Sequence, residues 1–476
     1  MVKSGGSVAR SGIEDVKLDR PLGLVAGIAI VVGGVIGMGI FALIAGLGAE
    51  AGPSIWLAFT IALIISLIGV APLIHISSAM PRAGGGYLFT SRLLNPALGT
   101  LASSWGILGG ACSTTFVSMG LAGYIAEYLP FEIPIRFLAI ILVALFFVLY
   151  RFGLKLAASL QILFVAQLFV ALMIYAIAGA SRVGLSLSLE MPQGVGGFAF
   201  AVILAYSACM GFQVIAEMGE EMVDARKNIP LSLIIGGAIV LLLYVLIGAT
   251  FINAVPYDYE AIKAMTAPLS ETGAMFLPPF LVFFLSLAAL SAGLTSFNAA
   301  ATAIPREFFS QARDGMVPAQ LGKIDRRTRT PLNAVGTYFL FVVFLLLIGG
   351  IFGWGIDFYG VLTAVGILLF TVLICISSLK LPVKFPERYK KAYFKLSRPL
   401  LWVLTILAVI TSFGFILIVV FEEEPVVGLI YIGWTILVLI YYRFRVGYLK
   451  RSGVDWEEVI SRLPGYDEEE EEEEEH

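Results

Sequence analysis

The sequence predicts an all-α membrane protein of twelve transmembrane helices, built as two inverted sets of five with two further helices at the C-terminal end. Three observations carry this. Of 476 residues, 59% are hydrophobic and only 14% charged, against roughly 25% charged in an ordinary soluble domain. The apolar residues fall into continuous runs of about 20, the length that crosses a bilayer as a helix. The few charges are sorted between alternate loops. The runs do not alternate with period two, which excludes a β-barrel. A chain of this length cannot hide so much apolar surface in water, so a soluble enzyme is excluded. A formal net charge of -3 supplies no basic groove, so no nucleic-acid partner is expected; the lipid bilayer is the expected surrounding.

The elements follow in order. Residues 1–20 form a polar tail with no cleavable signal pattern. Spans are expected at about 21–48, 54–79, 97–128, 133–150 and 154–179, then 197–218, 231–254, 273–304, 332–351 and 356–379, and finally 398–421 and 426–445. The first set of five therefore covers 21–180, the second 197–379, and spans 11 and 12 cover 398–445. A tail over 446–476 ends in an acidic run, Asp467 to Glu475, which contributes -9; the rest of the chain sums to +6, that is -3 + 9. Such a run cannot pack, and no function is assigned to it.

Loop charges set the orientation. With the N-terminus cytoplasmic, the outer loops hold three basic residues, Arg136, Arg182 and Lys263, and the other 28 (31 - 3) fall inside. The outer loops carry Glu127, Glu132, Glu190, Asp258, Glu260, Glu271 and Glu422 to Glu424. Both termini are therefore expected in the cytoplasm, with the protein in the cell (plasma) membrane. Cys112, Cys209 and Cys375 all lie in apolar stretches, so neither a disulfide framework nor a zinc site is indicated.

Spacing supports the inverted repeat. Gly37 in span 1 and Gly211 in span 6 are 174 residues apart. Spans 2 and 7 start about 177 apart, spans 3 and 8 about 176, and spans 4 and 9 about 199, because the 8–9 loop is long. Five is odd, so the second set enters from the opposite side.

Span 1 holds Gly33, Gly34, Gly37 and Gly39 within seven residues. Small residues also serve close helix packing. Four together, each weakening a helix by about 1 kcal/mol, favour a break whose freed backbone groups face a cavity. A half-helix starting near Met38 would aim its N–H groups at an anion. Ser207 to Gly211 in span 6 is a weaker signal of the same kind, strengthened by its matching place in the repeat.

At these residues the sequence resembles the amino acid–polyamine–organocation (APC) superfamily. The matches are G-G-V-I-G-M-G-I-F (Gly33 to Phe41), P-R-A-G-G-G-Y (Pro81 to Tyr87), M-G-F-Q-V-I-A-E-M-G-E-E (Met210 to Glu221), R-K-N-I-P (Arg226 to Pro230), A-R-D-G-M-V-P (Ala312 to Pro318) and R-T-P (Arg329 to Pro331). They occur in family order over about residues 20–380. The resemblance implies a LeuT-type fold and amino acid or polyamine transport by alternating access. It implies a substrate carboxylate at the amides of Met38 and Gly39, and an α-amino group at the carbonyls of Val35, Ser207 and Met210. Gly37 and Ala208 complete the set at the two breaks. Relatives often have a serine where Met38 stands, and many have an aromatic gate where Ser207 stands; neighbouring Tyr206 is the candidate substitute. A zwitterion needs one donor and one acceptor cluster a few ångströms apart, which two broken helices supply without formal charge.

S-A-G-L-T-S-F in span 8 (Ser291 to Phe297) has two readings. Hydroxyls inside spans commonly bond their own helix. Alternatively, A-G-L-T-S resembles the sodium-binding stretch of sodium-coupled relatives. The Ala292 carbonyl and the Thr295 and Ser296 hydroxyls, with the Gly33 and Ile36 carbonyls, would then supply five oxygens. Some proton-coupled members place a span 5 lysine in this space; Gln161 to Leu168 contains none. Sodium is therefore the expected coupling ion, and no other cofactor is expected; the alternative is a proton-coupled or exchanging amino acid transporter that also accepts cationic amino acids. Glu217, Glu220 and Glu221 either pair with Arg82 or Arg226 as an inner gate or are solvated. His75 reads as a structural hydrogen-bond partner ahead of a proton relay. Span 3 offers Cys112, Ser113, Thr114, Thr115 and Ser118 but no carboxylate, which favours small or aliphatic neutral amino acids over cationic substrates and polyamines. The Gly84–Gly86 run lacks phosphate-loop context, and no nucleophile–base pair is visible, so an enzyme is not expected.

Overall fold

The computed structural model describes residues 22–126, 129–152, 154–185, 187–265, 267–418 and 425–461. The 1–20 tail, Glu127, Glu422 to Glu424 and the acidic run lie outside the described residues. The described chain is helical, with two isolated bridges and no strand. Span 1 is two helices, Leu24–Val35 and Met38–Ala51. Span 6 is Gly194–Ala208 followed by a 3-10 turn, Phe212–Glu217. The unbroken spans are Ile55–Ala79, Pro96–Ala126, Ile135–Tyr150, Leu154–Arg182, Ala225–Ala254, Pro279–Ala303, Leu332–Phe352, Ile356–Ser378, Arg398–Ile418 and Pro425–Arg451. Among the described residues, eleven stretches are long and apolar enough to cross a membrane. The twelfth, span 4, has 16 residues and is about 24 Å long at 1.5 Å per residue.

Three expected boundaries move, each for a backbone reason. Span 7 begins at Ala225 rather than 231, with Pro230 inside it. Proline cannot donate to the carbonyl four residues back, and the freed Arg226 carbonyl accepts the Ser78 hydroxyl at 3.0 Å. Span 8 begins at Pro279 rather than 273, because the Pro278–Pro279 pair supplies no N–H to an upstream turn; residues Pro268–Gly273 form a separate short helix. Span 12 runs to Arg451, its basic last turn matching the negative end of the helix dipole. Six more short helices, Gly85–Leu93, Tyr259–Lys263, Pro305–Arg313, Leu381–Lys384, Pro386–Lys391 and Trp456–Ser461, lie between or after spans among the described residues.

The interior has two main apolar clusters. One joins spans 1, 2, 5, 6 and 7; the other joins spans 3, 4, 9 and 10. Span 8 divides its faces between them, with Ala288, Ala292 and Ala299 in the first and Phe297 and Ala301 in the second. The outward faces leave Phe137, Leu145, Leu340, Leu347, Trp402 and Ile436 exposed. So broad an apolar belt fits lipid rather than water. His75 is buried, accepts the Leu396 amide at Nδ1 (3.3 Å) and stands edge-on to Tyr389, in line with the structural reading.

Candidate functional site

The glycines of span 1 break the helix where the sequence indicates. Val35 ends the first half, Ile36 and Gly37 form the gap, and Met38 and Gly39 open the second half. The second half has no side-chain cap at its N-terminus, so its first amides are available to a ligand. Span 6 breaks at the matching place: Ser207 and Ala208 end its first half, and Cys209, Met210 and Gly211 lead into the turn.

The two breaks touch. A Cβ at Gly211 would lie 2.5 Å from the Gly34 carbonyl oxygen, and one at Gly39 would lie 3.1 Å from Ala208 Cα. Only glycine permits backbones this close. The Met38 side chain lies between Gly120 of span 3 and Gly293 of span 8. Ser207 is exposed between buried Tyr206 and Ala208, and its hydroxyl bonds Ile203 of its own helix at 3.3 Å. Tyr206, the candidate substitute gate, points its ring away from Ser207 in this structure. One residue along a helix is a rotation of about 100°, and that turns its ring onto Phe415 of span 11, stacked at 4.6 Å.

The candidate ion ligands also converge. The Ser296 hydroxyl donates to the Gly33 carbonyl at 3.2 Å, joining span 8 to span 1, and it sits where a Gly37 side chain would be. The Thr295 hydroxyl donates to the Ala292 carbonyl of its own helix at 3.0 Å. Gln161 of span 5 stands beside Gly33; it donates to the Ala29 carbonyl (3.3 Å) and accepts from Asn298 (2.9 Å). Among the described residues no group of three or more His, Cys, Asp or Glu side chains is placed to hold a metal. A cavity of about 200 Å³, lined by Leu121, Leu145, Phe164 and Leu294, is almost wholly apolar and does not offer the paired donor and acceptor clusters that a zwitterion requires.

The end of the bundle that carries the basic loops is tied by buried and half-buried ion pairs, two of them to arginines of the helix after span 8. Glu221 pairs with Arg306 at 2.6 Å and Glu220 with Arg313 at 2.6 Å. Both arginines lie in the Pro305–Arg313 helix after span 8, so these bonds lock the end of span 6 to span 8. Burial raises the Glu220 carboxyl, but the Arg313 and Arg82 guanidiniums outweigh it and hold the group below its ordinary range. Glu217 and Glu307 both accept the Gly86 amide, at 3.2 and 2.8 Å, and Arg92 pairs with Asp314 at 2.6 Å. Glu307 carries no local sequence signal; its position opposite Gly86 depends on the 2–3 loop folding back as a helix.

The comparisons show the family. The family model for amino acid permeases matches residues 22–442. The branched-chain amino acid permease BcaP of Bacillus subtilis is 25% identical over 89% of this chain and 94% of its own length. A mitochondrial cationic amino acid transporter of Arabidopsis thaliana is 27% identical over 65% of this chain and 54% of its own. The cystine/glutamate transporter of Pongo abelii is 26% identical over 69% and 68%. These relatives are transporters and not enzymes. Twelve apolar helices, two touching helix breaks and a family match over nearly the whole chain place it in one group: the chain belongs to the amino acid permease family of the APC superfamily.

Proposed function

We propose that the protein is a secondary active transporter that carries small or aliphatic neutral amino acids by alternating access, coupled to sodium. The supporting observation is the pair of opposed half-helix ends. The amides of Met38 and Gly39 open one half-helix, beside the carbonyl ends at Val35 and Ala208. Donors and acceptors so arranged suit a carboxylate and an ammonium group. The stretches 33–39, 112–118, 206–213 and 291–298 contain no carboxylate for a cationic side chain, and a relative named for branched-chain substrates supports aliphatic ones. The matched breaks in the first helix of each set support a LeuT-type rocking of these helices against spans 3, 4, 9 and 10. The 28-to-3 division of basic residues and the bacterial relative support a cell-membrane location with both termini cytoplasmic.

The meeting of Ser296 with Gly33, beside Ile36, Ala292 and Thr295, supports a site of hard oxygen ligands. One observation favours the alternative of proton coupling or exchange: Thr295 and Ala292 satisfy each other. Uptake into proteoliposomes, with labelled amino acids and separately imposed sodium and proton gradients, tests both. Sodium-driven uptake is expected, and Thr295→Ala with Ser296→Ala is expected to weaken its sodium dependence at least about tenfold, as for loss of two ligating oxygens. Full uptake on a proton gradient without sodium would reject the ion. Gly39→Leu is expected to remove amino acid binding without preventing insertion, because its side chain starts in contact with Ala208; retained affinity in an equilibrium binding assay would reject the carboxylate site.

A further inference from the structure

A helix that stops inside the membrane leaves carbonyl groups without intrahelical donors. Val35 ends the first half of span 1 and Ala208 ends the first half of span 6. One side chain serves both. The Tyr244 hydroxyl of span 7 lies 3.0 Å from the Val35 oxygen and 2.9 Å from the Ala208 oxygen. Its ring is buried and packs against Phe59 of span 2 at 5.0 Å, which fixes the hydroxyl between the two repeats. A phenol carries a single hydrogen. It can satisfy one of these carbonyls at a time, and the other needs a second donor. The Val35 oxygen already takes the Gly37 amide at 2.8 Å, so Ala208 is the acceptor most dependent on that shared hydrogen.

We propose that Tyr244 is a positioning residue for the substrate's ammonium group, acting through the Val35 and Ala208 carbonyls that it holds together at the two helix breaks. An ammonium group brings three donors. When it arrives, it donates to lone pairs of the Val35 and Ala208 oxygens that the Gly37 amide and the phenol leave free. Substrate then adds donors to a joint between span 1 and span 6 that the empty carrier makes through one phenol hydrogen. Side-chain identity plays no part in this contact, so Tyr244 governs recognition of the amino group and not the choice among amino acids. The assignment rests on the substrate site proposed above.

The test uses the full chain in proteoliposomes and compares affinities for L-alanine, L-valine and L-leucine with those for propanoate, 3-methylbutanoate and 4-methylpentanoate, which carry hydrogen in place of the amino group. The wild type is expected to favour the amino acids strongly. Tyr244→Phe is expected to shrink that preference about tenfold, the size of one hydrogen bond to a charged group, while affinity for the carboxylates changes less than about twofold. A merely structural role would lower both affinities together and leave the ratio intact, and that result would overturn the assignment. A wild type with no preference for the amino group would overturn the substrate site itself, and Tyr244 with it; a wild-type preference retained in Tyr244→Phe overturns Tyr244 alone. If Tyr244→Phe does not fold, Phe59→Leu loosens the ring while keeping the hydroxyl. It is expected to shrink the ratio about threefold, and an unchanged ratio then overturns the proposal.

Discussion

Gly211→Ala is expected to reduce uptake at least about 100-fold, equivalent to about 2.7 kcal/mol, while the chain still inserts into the membrane. Two independent effects act at this position. Gly211 has φ +126°, in a region that alanine occupies only at a cost of about 1–3 kcal/mol. The added Cβ would also lie 2.5 Å from the Gly34 oxygen and 2.8 Å from the Gly34 carbonyl carbon. Both opposing atoms are backbone, so no rotamer change relieves the contact. The two breaks must separate, and the donor and acceptor ends then no longer face each other at one substrate's length. Gly433→Ala is the control: nothing lies within 4 Å of the added carbon, and alanine favours the helix there by about 1 kcal/mol. Initial uptake rates and thermal midpoints of the two variants check this, and uptake in Gly211→Ala within about tenfold of wild type would show that the close approach is dispensable.

Which features were legible follows from how local their causes are. Apolar runs of about 20 residues have one outcome in a bilayer, and they give the twelve spans to within a few residues. The break in span 1 was equally visible, because four glycines remove helix propensity within two turns. The break in span 6 has fewer such residues, and its position was read from the match between Gly37 and Gly211. Ser296 and Gly33 were read from the sequence as ligands of one ion, and the structure joins them by a hydrogen bond. Three features were hidden for a common reason. Tyr244 is one hydroxyl in a continuous apolar run, and its role comes from two carbonyls 209 and 36 residues away. Glu307 meets Gly86 across 221 residues. Arg306 stands 85 residues from Glu221 in no recognisable motif, whereas Arg82 and Arg226 each lie within one. The Tyr206 orientation depends on the docking of span 11, a contact that composition alone does not specify.

The Arg306–Glu221 pair gives the second large effect. Neither side chain of this pair is accessible to solvent, and the guanidinium uses two nitrogens, Nε to Oε2 at 3.0 Å and Nη2 to Oε1 at 2.6 Å. It also donates to the Thr302 carbonyl. Arg306→Met keeps the bulk of the side chain but strands a buried carboxylate, and the expected loss is about 3–5 kcal/mol. The cost arises from the orphaned charge and not from the attraction alone, because burying two ions offsets much of what their pairing contributes. Arg306→Met combined with Glu221→Met therefore recovers most of the loss, and the double variant is expected within about 1–2 kcal/mol of the wild type. Thermal midpoints of the two single variants and the double variant in one detergent measure this coupling. Additive losses would mean that the two side chains stabilise the fold separately. Non-additive recovery identifies the pair as a discrete joint between the end of span 6 and the helix after span 8. A joint of that kind has to part whenever the ends of spans 6 and 8 separate, so the double variant retains a stable fold while losing the bond that holds this end closed. Accessibility of a cysteine introduced at Ser310, which is buried in the same helix, is then expected to rise in the double variant although its thermal midpoint stays closer to the wild type than that of Arg306→Met.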